Sequence, residues 1–194
     1  MSQLPARHRV TVDEFERIVE AGVFAPDERL ELIDGEIVDM SPIGNPHMAC
    51  VNRLNTLFAP LSVAGRAIVQ VQGAFVASDV SRPQPDVALL RPRADFYATA
   101  GPGPTDVLLA VEVADSSLRY DMGVKRPLYA AAGVTETWIV DLNGGVVEIA
   151  TEPGPQGYVR LVRARPGDTI SPVALPDVAI PVTELLGERP SPHA

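Results

Sequence analysis

Cysteine and lysine each occur once in the 194 residues, as Cys50 and Lys125, and histidine occurs three times, as His8, His47 and His193. One cysteine excludes an internal disulfide and a four-cysteine zinc site, and it fits a reducing compartment. Long apolar runs are absent too. The richest, residues 107–114, carries Glu112 and falls far short of the roughly 20 residues a membrane helix needs. Residues 1–10 carry Arg7, His8 and Arg9 with no apolar stretch behind them, so no secretory signal is expected. The expectation is a soluble, cytoplasmic protein. Positive charge is scarce: 16 basic against 25 acidic residues leave a net charge of -9. That excludes a broad basic surface for nucleic acid, so a polyanion has to be met locally and in a salt-dependent way.

The basic residues are almost all arginine. In a chain that uses arginine wherever a surface cation will do, a surviving lysine is either ordinary or one that arginine cannot replace. A compact ammonium can lose a proton and fit beside a metal or a phosphate where a guanidinium cannot.

At 46% hydrophobic the chain has apolar material for one well-buried domain, expected over residues 1–186, with 187–194 as a proline-containing tail. Thr11 and Glu14 form a T-x-x-E capping box ahead of Phe15, Ile18 and Val19, which predicts a helix ending near Gly22. Asp34-Gly35 between two short apolar runs predicts a two-residue hairpin. Helical spacing of Val51, Leu54 and Phe58 predicts a helix over 47–61. Strands are predicted over 67–71, 74–76, 86–90, 107–113, 135–141, 146–150 and 158–162, a helix over 122–132 closed by Gly133, and a last helical turn at 182–186. The fold class expected is α/β (α+β), a central mixed sheet flanked by helices with antiparallel hairpins at both ends.

Glu112 is the anomaly, because an ionised carboxylate inside an apolar strand is costly unless it is paired or binds a cation. Asp86 opens another short strand directly after a proline. Two carboxylates converging at strand mouths make an oxygen-lined site suited to Mg²⁺ or Mn²⁺, although buried acids also pair with arginine. Lys125 follows Glu112 by thirteen residues, on the helix leaving that strand. From there it could deprotonate a water or offset charge on a phosphoryl group.

The residues Leu30-Glu31-Leu32-Ile33-Asp34-Gly35-Glu36, Pro85-Asp86-Val87, Val111-Glu112-Val113, Ser116-Ser117, Asp121, Lys125, Tyr129, Gly133-Val134 and Trp138-Ile139-Val140-Asp141 resemble, in order, the Uma2 family. These are restriction-endonuclease-like proteins of the PD-(D/E)xK nuclease superfamily. The resemblance implies a restriction-endonuclease-like core and a Mg²⁺-dependent nuclease site acting on DNA. Asp86 and Glu112 would be its metal ligands with the backbone carbonyl of Val113, Glu31 an acid from the N-terminal part, and Lys125 the lysine. The usual lysine position, two residues after the acid, is Ala114 here, so the lysine is displaced to the following helix. Thr137 and Ala114-Asp115 depart from the family pattern.

Other residues carry two readings each. Glu31 is a site acid or a solvated residue on the outer face of a hairpin. His47 contacts phosphate or a water, or simply begins a helix. Ser116 and Ser117 meet phosphate or cap a helix. Tyr129 flanks the cleft or packs beneath it, and Trp138 belongs to the core. Arg119 and Arg126 near the site, and Arg160, Arg163 and Arg165 near the C-terminal strand, are candidate phosphate contacts or a solvated face. A homodimer suits an enzyme cutting two strands. The competing class of function is a catalytically quiet nuclease fold used for binding or assembly.

Overall fold

A computed structural model describes residues 7–25, 27–40 and 43–187. The T-x-x-E spacing closes a capping box: the Glu14 N–H donates to Thr11 Oγ1 and the Thr11 N–H donates to Glu14 Oε2. This starts α1 (Val12–Glu20), which buries Val12 and Phe15. Asp34 and Gly35 adopt φ of 52° and 79°, the left-handed pair that a tight hairpin requires. They join β1 (Leu30–Ile33) to β2 (Glu36–Asp39) in antiparallel register. α2 (Asn45–Val63) begins two residues ahead of the expected span, with Pro46 in its first turn, where the missing N–H has no helical partner to lose.

β3 (Ile68–Val71), β4 (Val87–Leu90), β5 (Val107–Ala114), β6 (Glu136–Asp141), β7 (Val146–Gly154) and β8 (Gly157–Ala164) form one sheet in chain order. Only β5 and β6 run parallel, because a helical crossover replaces a reversing turn there. That crossover comprises α3 (Leu118–Tyr120), a π-helical turn (Asp121–Lys125) and α4 (Arg126–Ala132), ended by Gly133 at φ 83°. It starts earlier than the sequence predicts. A short pair, β9 (Thr169–Ile170) and β10 (Ile180–Pro181), leads into α5 (Val182–Leu186). The fold is thus mixed α/β with a six-stranded mixed sheet, flanking helices and terminal hairpins.

The strand expected at 74–76 is a loop. Its N–H groups bond to scattered loop carbonyls, Phe75 to Pro83 and Val76 to Pro102, because the proline-rich partner segment supplies acceptors but few donors for a ladder. The tail expected at 187–194 lies, apart from Gly187, outside the described residues. Among the described residues no helix is long and apolar enough to cross a membrane.

Alternation along β5 sorts the core onto two faces. Leu109, Val111 and Val113 pack with Leu54 and Phe58 of α2, Leu185 of α5 and Trp138 of β6. Ala110 packs on the other side with Tyr129 and Val134. Period two therefore turns Glu112 toward the helical crossover. Phe58 and Trp138 meet in a tilted pair with centroids 6.2 Å apart, a geometry favoured by the ring quadrupoles.

Candidate active site

Val87 pairs with Val111 in the β4–β5 ladder, so Asp86, one residue before, and Glu112, one after, stand beside each other. The Val113 N–H donates to Asp86 Oδ2 at 2.8 Å, and His47 Nε2 of α2 lies 3.0 Å from the same oxygen. Lys125, at the end of the π-helical turn, sets its Nζ 2.9 Å from Glu31 Oε1 and 3.2 Å from Glu112 Oε2. Tyr129 donates its hydroxyl to Glu112 Oε1. Glu31 also accepts from the Gln84 N–H at 2.6 Å.

Asp121, Lys125 and Tyr129 are all buried and follow each other at a spacing of four, which puts them on one helix face. The π-helical turn lies where chemistry-bearing side chains gather, as such turns often do. Ser117 precedes that turn and donates to Asp121 Oδ2 at 2.6 Å; it makes no side-chain cap.

The buried charges do not balance. Glu31, Asp86, Glu112 and Asp121 are all at most 5% exposed, against one equally buried ammonium, Lys125. Burial pushes the Glu112 carboxyl well above its ordinary value; Lys125 opposes this, while Asp86, Asp121 and Glu31 reinforce it. Burial raises Asp121 as well, against the bonds from Ser117 and the charge of Lys125. At Lys125 burial works against the ammonium, but Glu112 and Glu31 outweigh it, so its pKa rises. The two carboxylates thus favour the charged form of the Lys125 ammonium.

The cavity here has a volume of about 580 Å³ and is lined by Glu31, His47, Asp86, Glu112, Val113 and Lys125, among others. Ser116 and Arg119 also line it, both exposed at its rim. Val113 meets Asp86 through its N–H. Among the described residues no three histidine, cysteine or carboxylate side chains form a ready metal cage.

The structure decides between several of the alternative readings. Glu31 is not on a solvated outer face: it is 2% exposed, because Lys125 and the chain at Gln84 cover it. Tyr129, a candidate substrate contact, is fully buried beneath the cavity with Phe75, so it positions Glu112 instead. Arg126 does not line the cavity; it follows Lys125 by one residue, and that step of about 100° along a helix carries it off the inward face. Arg160, Arg163 and Arg165 likewise lie outside the cavity lining, on or just after β8, where Arg163 pairs with Glu148 at 2.6 Å. Asp121 belongs to the motifs of the family resemblance but had no role assigned to it, and Arg29 and Tyr120 join the cavity as additional residues. The four-residue spacing from Lys125 to Tyr129, extended backwards, points to Asp121, while nothing local marks Arg29.

No curated protein matches the chain. A crystal structure described as "a putative nuclease belonging to DUF820 from Anabaena variabilis ATCC 29413" is similar in fold, with a TM-score of 0.73 at 14% identity, covering 91% of this chain and 97% of that one. The family profile described as "Putative restriction endonuclease", Uma2, matches residues 12–183, and the chain belongs to that family.

Proposed function

We propose that this cavity is the active site of a Mg²⁺- or Mn²⁺-dependent endonuclease hydrolysing phosphodiester bonds in DNA. The charge imbalance carries the reading: four buried carboxylates around one ammonium leave a local deficit of positive charge that a divalent cation relieves. The donor set fits such an ion. Asp86 and Glu112 are hard oxygen ligands, the Val113 carbonyl would add a third, and water would complete the shell of a cation that gives up its hydration reluctantly. Mg²⁺ or Mn²⁺ supplies Lewis-acid polarisation of a phosphoryl oxygen and neutralises its developing charge.

The protein's own groups prepare that chemistry. The Val113 N–H and His47 hold the Asp86 carboxylate in place. Tyr129 and Lys125 together fix both oxygens of Glu112. Glu31 anchors the Lys125 ammonium, which offsets charge at phosphorus as water adds and the bond to the leaving sugar oxygen breaks. Ser116 and Arg119 at the rim are placed to meet DNA phosphates. Cutting both strands takes two such sites, which a homodimer supplies.

The test is cleavage of plasmid DNA with Mg²⁺ or Mn²⁺ beside an Asp86→Ala control. Cleavage by the wild type alone supports the proposal. Equal cleavage in both samples, or none with any of several divalent ions, overturns it in favour of a quiet binding or assembly module.

A further inference from the structure

Among the described residues, three buried side-chain polar atoms have no hydrogen-bond partner: Arg29 Nη2, His47 Nδ1 and Tyr120 Oη. All three residues line the cavity that holds the carboxylates. A buried polar atom left unsatisfied costs about 1–3 kcal/mol, and native interiors leave few of them. Three converging on one cavity mark a place where a ligand completes the bonding.

The chemistry of the three atoms separates them. A guanidinium only donates. The Tyr120 hydroxyl also donates, because burial, reinforced by Glu31, pushes its pKa up to about 12 and keeps the proton in place. The His47 ring is engaged with Asp86 through Nε2, so in a neutral imidazole that donates from Nε2 the free Nδ1 is an acceptor suited to water. Arg29 and Tyr120 thus carry a pair of unpartnered donors and line a cavity otherwise rich in carboxylates. An anionic oxygen is the acceptor that satisfies both, and a planar guanidinium is well shaped for a tetrahedral phosphate.

Their positions suit that task. Arg29 stands two residues before Glu31, and its backbone carbonyl accepts from the Met40 N–H at 2.9 Å, tying it to the hairpin that delivers Glu31. Tyr120 stands between Arg119 at the rim and buried Asp121, at the start of the π-helical turn that delivers Lys125.

We infer that Arg29 and Tyr120 form a phosphate seat, donating to the non-bridging oxygens of a DNA phosphodiester and holding it against Asp86 and Glu112. The identity of the substrate rests on the nuclease reading, whereas the seat rests on the unpartnered donors. A polyanion then enters an acidic cavity by way of two fixed donors and the cation.

Two readouts test it on Arg29→Gln and Tyr120→Phe: the rise in melting temperature caused by inorganic phosphate in Mg²⁺, and the KM for DNA cleavage. Tyr120→Phe deletes an oxygen that has no hydrogen-bond partner among the described residues, so its melting temperature without phosphate should not fall. Each variant should lose the phosphate-induced rise, and KM should increase by about tenfold with a smaller change in kcat. Wild-type cleavage with unchanged KM in both variants overturns the seat and leaves the nuclease reading standing. A phosphate-induced rise confined to the wild type, in a protein that cuts no DNA, supports the seat and removes the nuclease reading. Absence of both phosphate response and DNA cleavage in the wild type overturns the seat as well.

Discussion

Lys125 Nζ lies 2.9 Å from Glu31 Oε1, joining the π-helical turn of the crossover to the N-terminal hairpin. The same ammonium reaches Glu112, so one side chain ties together three segments that are distant in sequence. Removing it leaves two buried carboxylates without their cation.

Lys125→Met is therefore expected to cost about 3–5 kcal/mol, because breaking a buried ion pair strands its partners. Urea unfolding measures this. Lys125→Arg keeps the charge but crowds the pocket, and should lose about 1–3 kcal/mol together with activity. A Lys125→Met protein as stable as the wild type would show that the ion pairs contribute nothing.

Tyr129→Phe isolates one hydrogen bond. The ring packs on Phe75 with centroids 5.6 Å apart, and that contact survives the substitution. What is lost is the hydroxyl to Glu112, worth about 1–3 kcal/mol when it leaves a buried carboxylate under-satisfied. Denaturant midpoints should shift accordingly with an unchanged slope, and kcat should fall because Glu112 is no longer held from both sides.

Cation binding is readable without any DNA. Millimolar Mn²⁺ should raise the melting temperature of the wild type, reaching about 2.7 kcal/mol of stabilisation at a hundredfold excess over Kd. Asp86→Ala should show no rise. A rise of equal size in that variant places the ion somewhere other than at Asp86 and Glu112.

The raised carboxyls make a prediction with a definite sign. Glu112 and Asp121 hold protons more tightly in the folded chain than at their ordinary values of 4.5 and 3.8. As pH rises from that range through the raised native values, the folded state binds more protons than the unfolded chain, so their contribution to stability falls. Lys125 behaves differently: its pKa is raised above 10.5, so its contribution is complete below that value and declines only at higher pH. Metal-free protein should thus lose stability across the window above the carboxylate range, and Asp121→Asn should flatten that slope. Matched pH–stability curves for wild type and Asp121→Asn decide it, and identical slopes would contradict the burial of charge at Asp121.

Much of the scaffold was legible from local chemistry. Asp34-Gly35 specifies its turn because few other dipeptides take two positive φ angles cheaply. The T-x-x-E box specifies its helix start, and the apolar run around Glu112 specifies a strand covered on both faces. Residues 74–76 look strand-like but form a loop, because their pairing depends on the proline-rich segment opposite.

The sequence by itself determined that Glu112 needed a partner and that Lys125 was singular, since burial cost and residue type are properties of short stretches. Only the tertiary structure decided which acids meet that lysine, that Glu31 is buried, that Tyr129 lies beneath the cavity, and that Arg29 and Tyr120, which line it, carry unpartnered buried donors. The physical reason is that a side chain's environment is set by segments arriving from elsewhere in the chain. Electrostatic cost depends on that environment, and no local pattern encodes it.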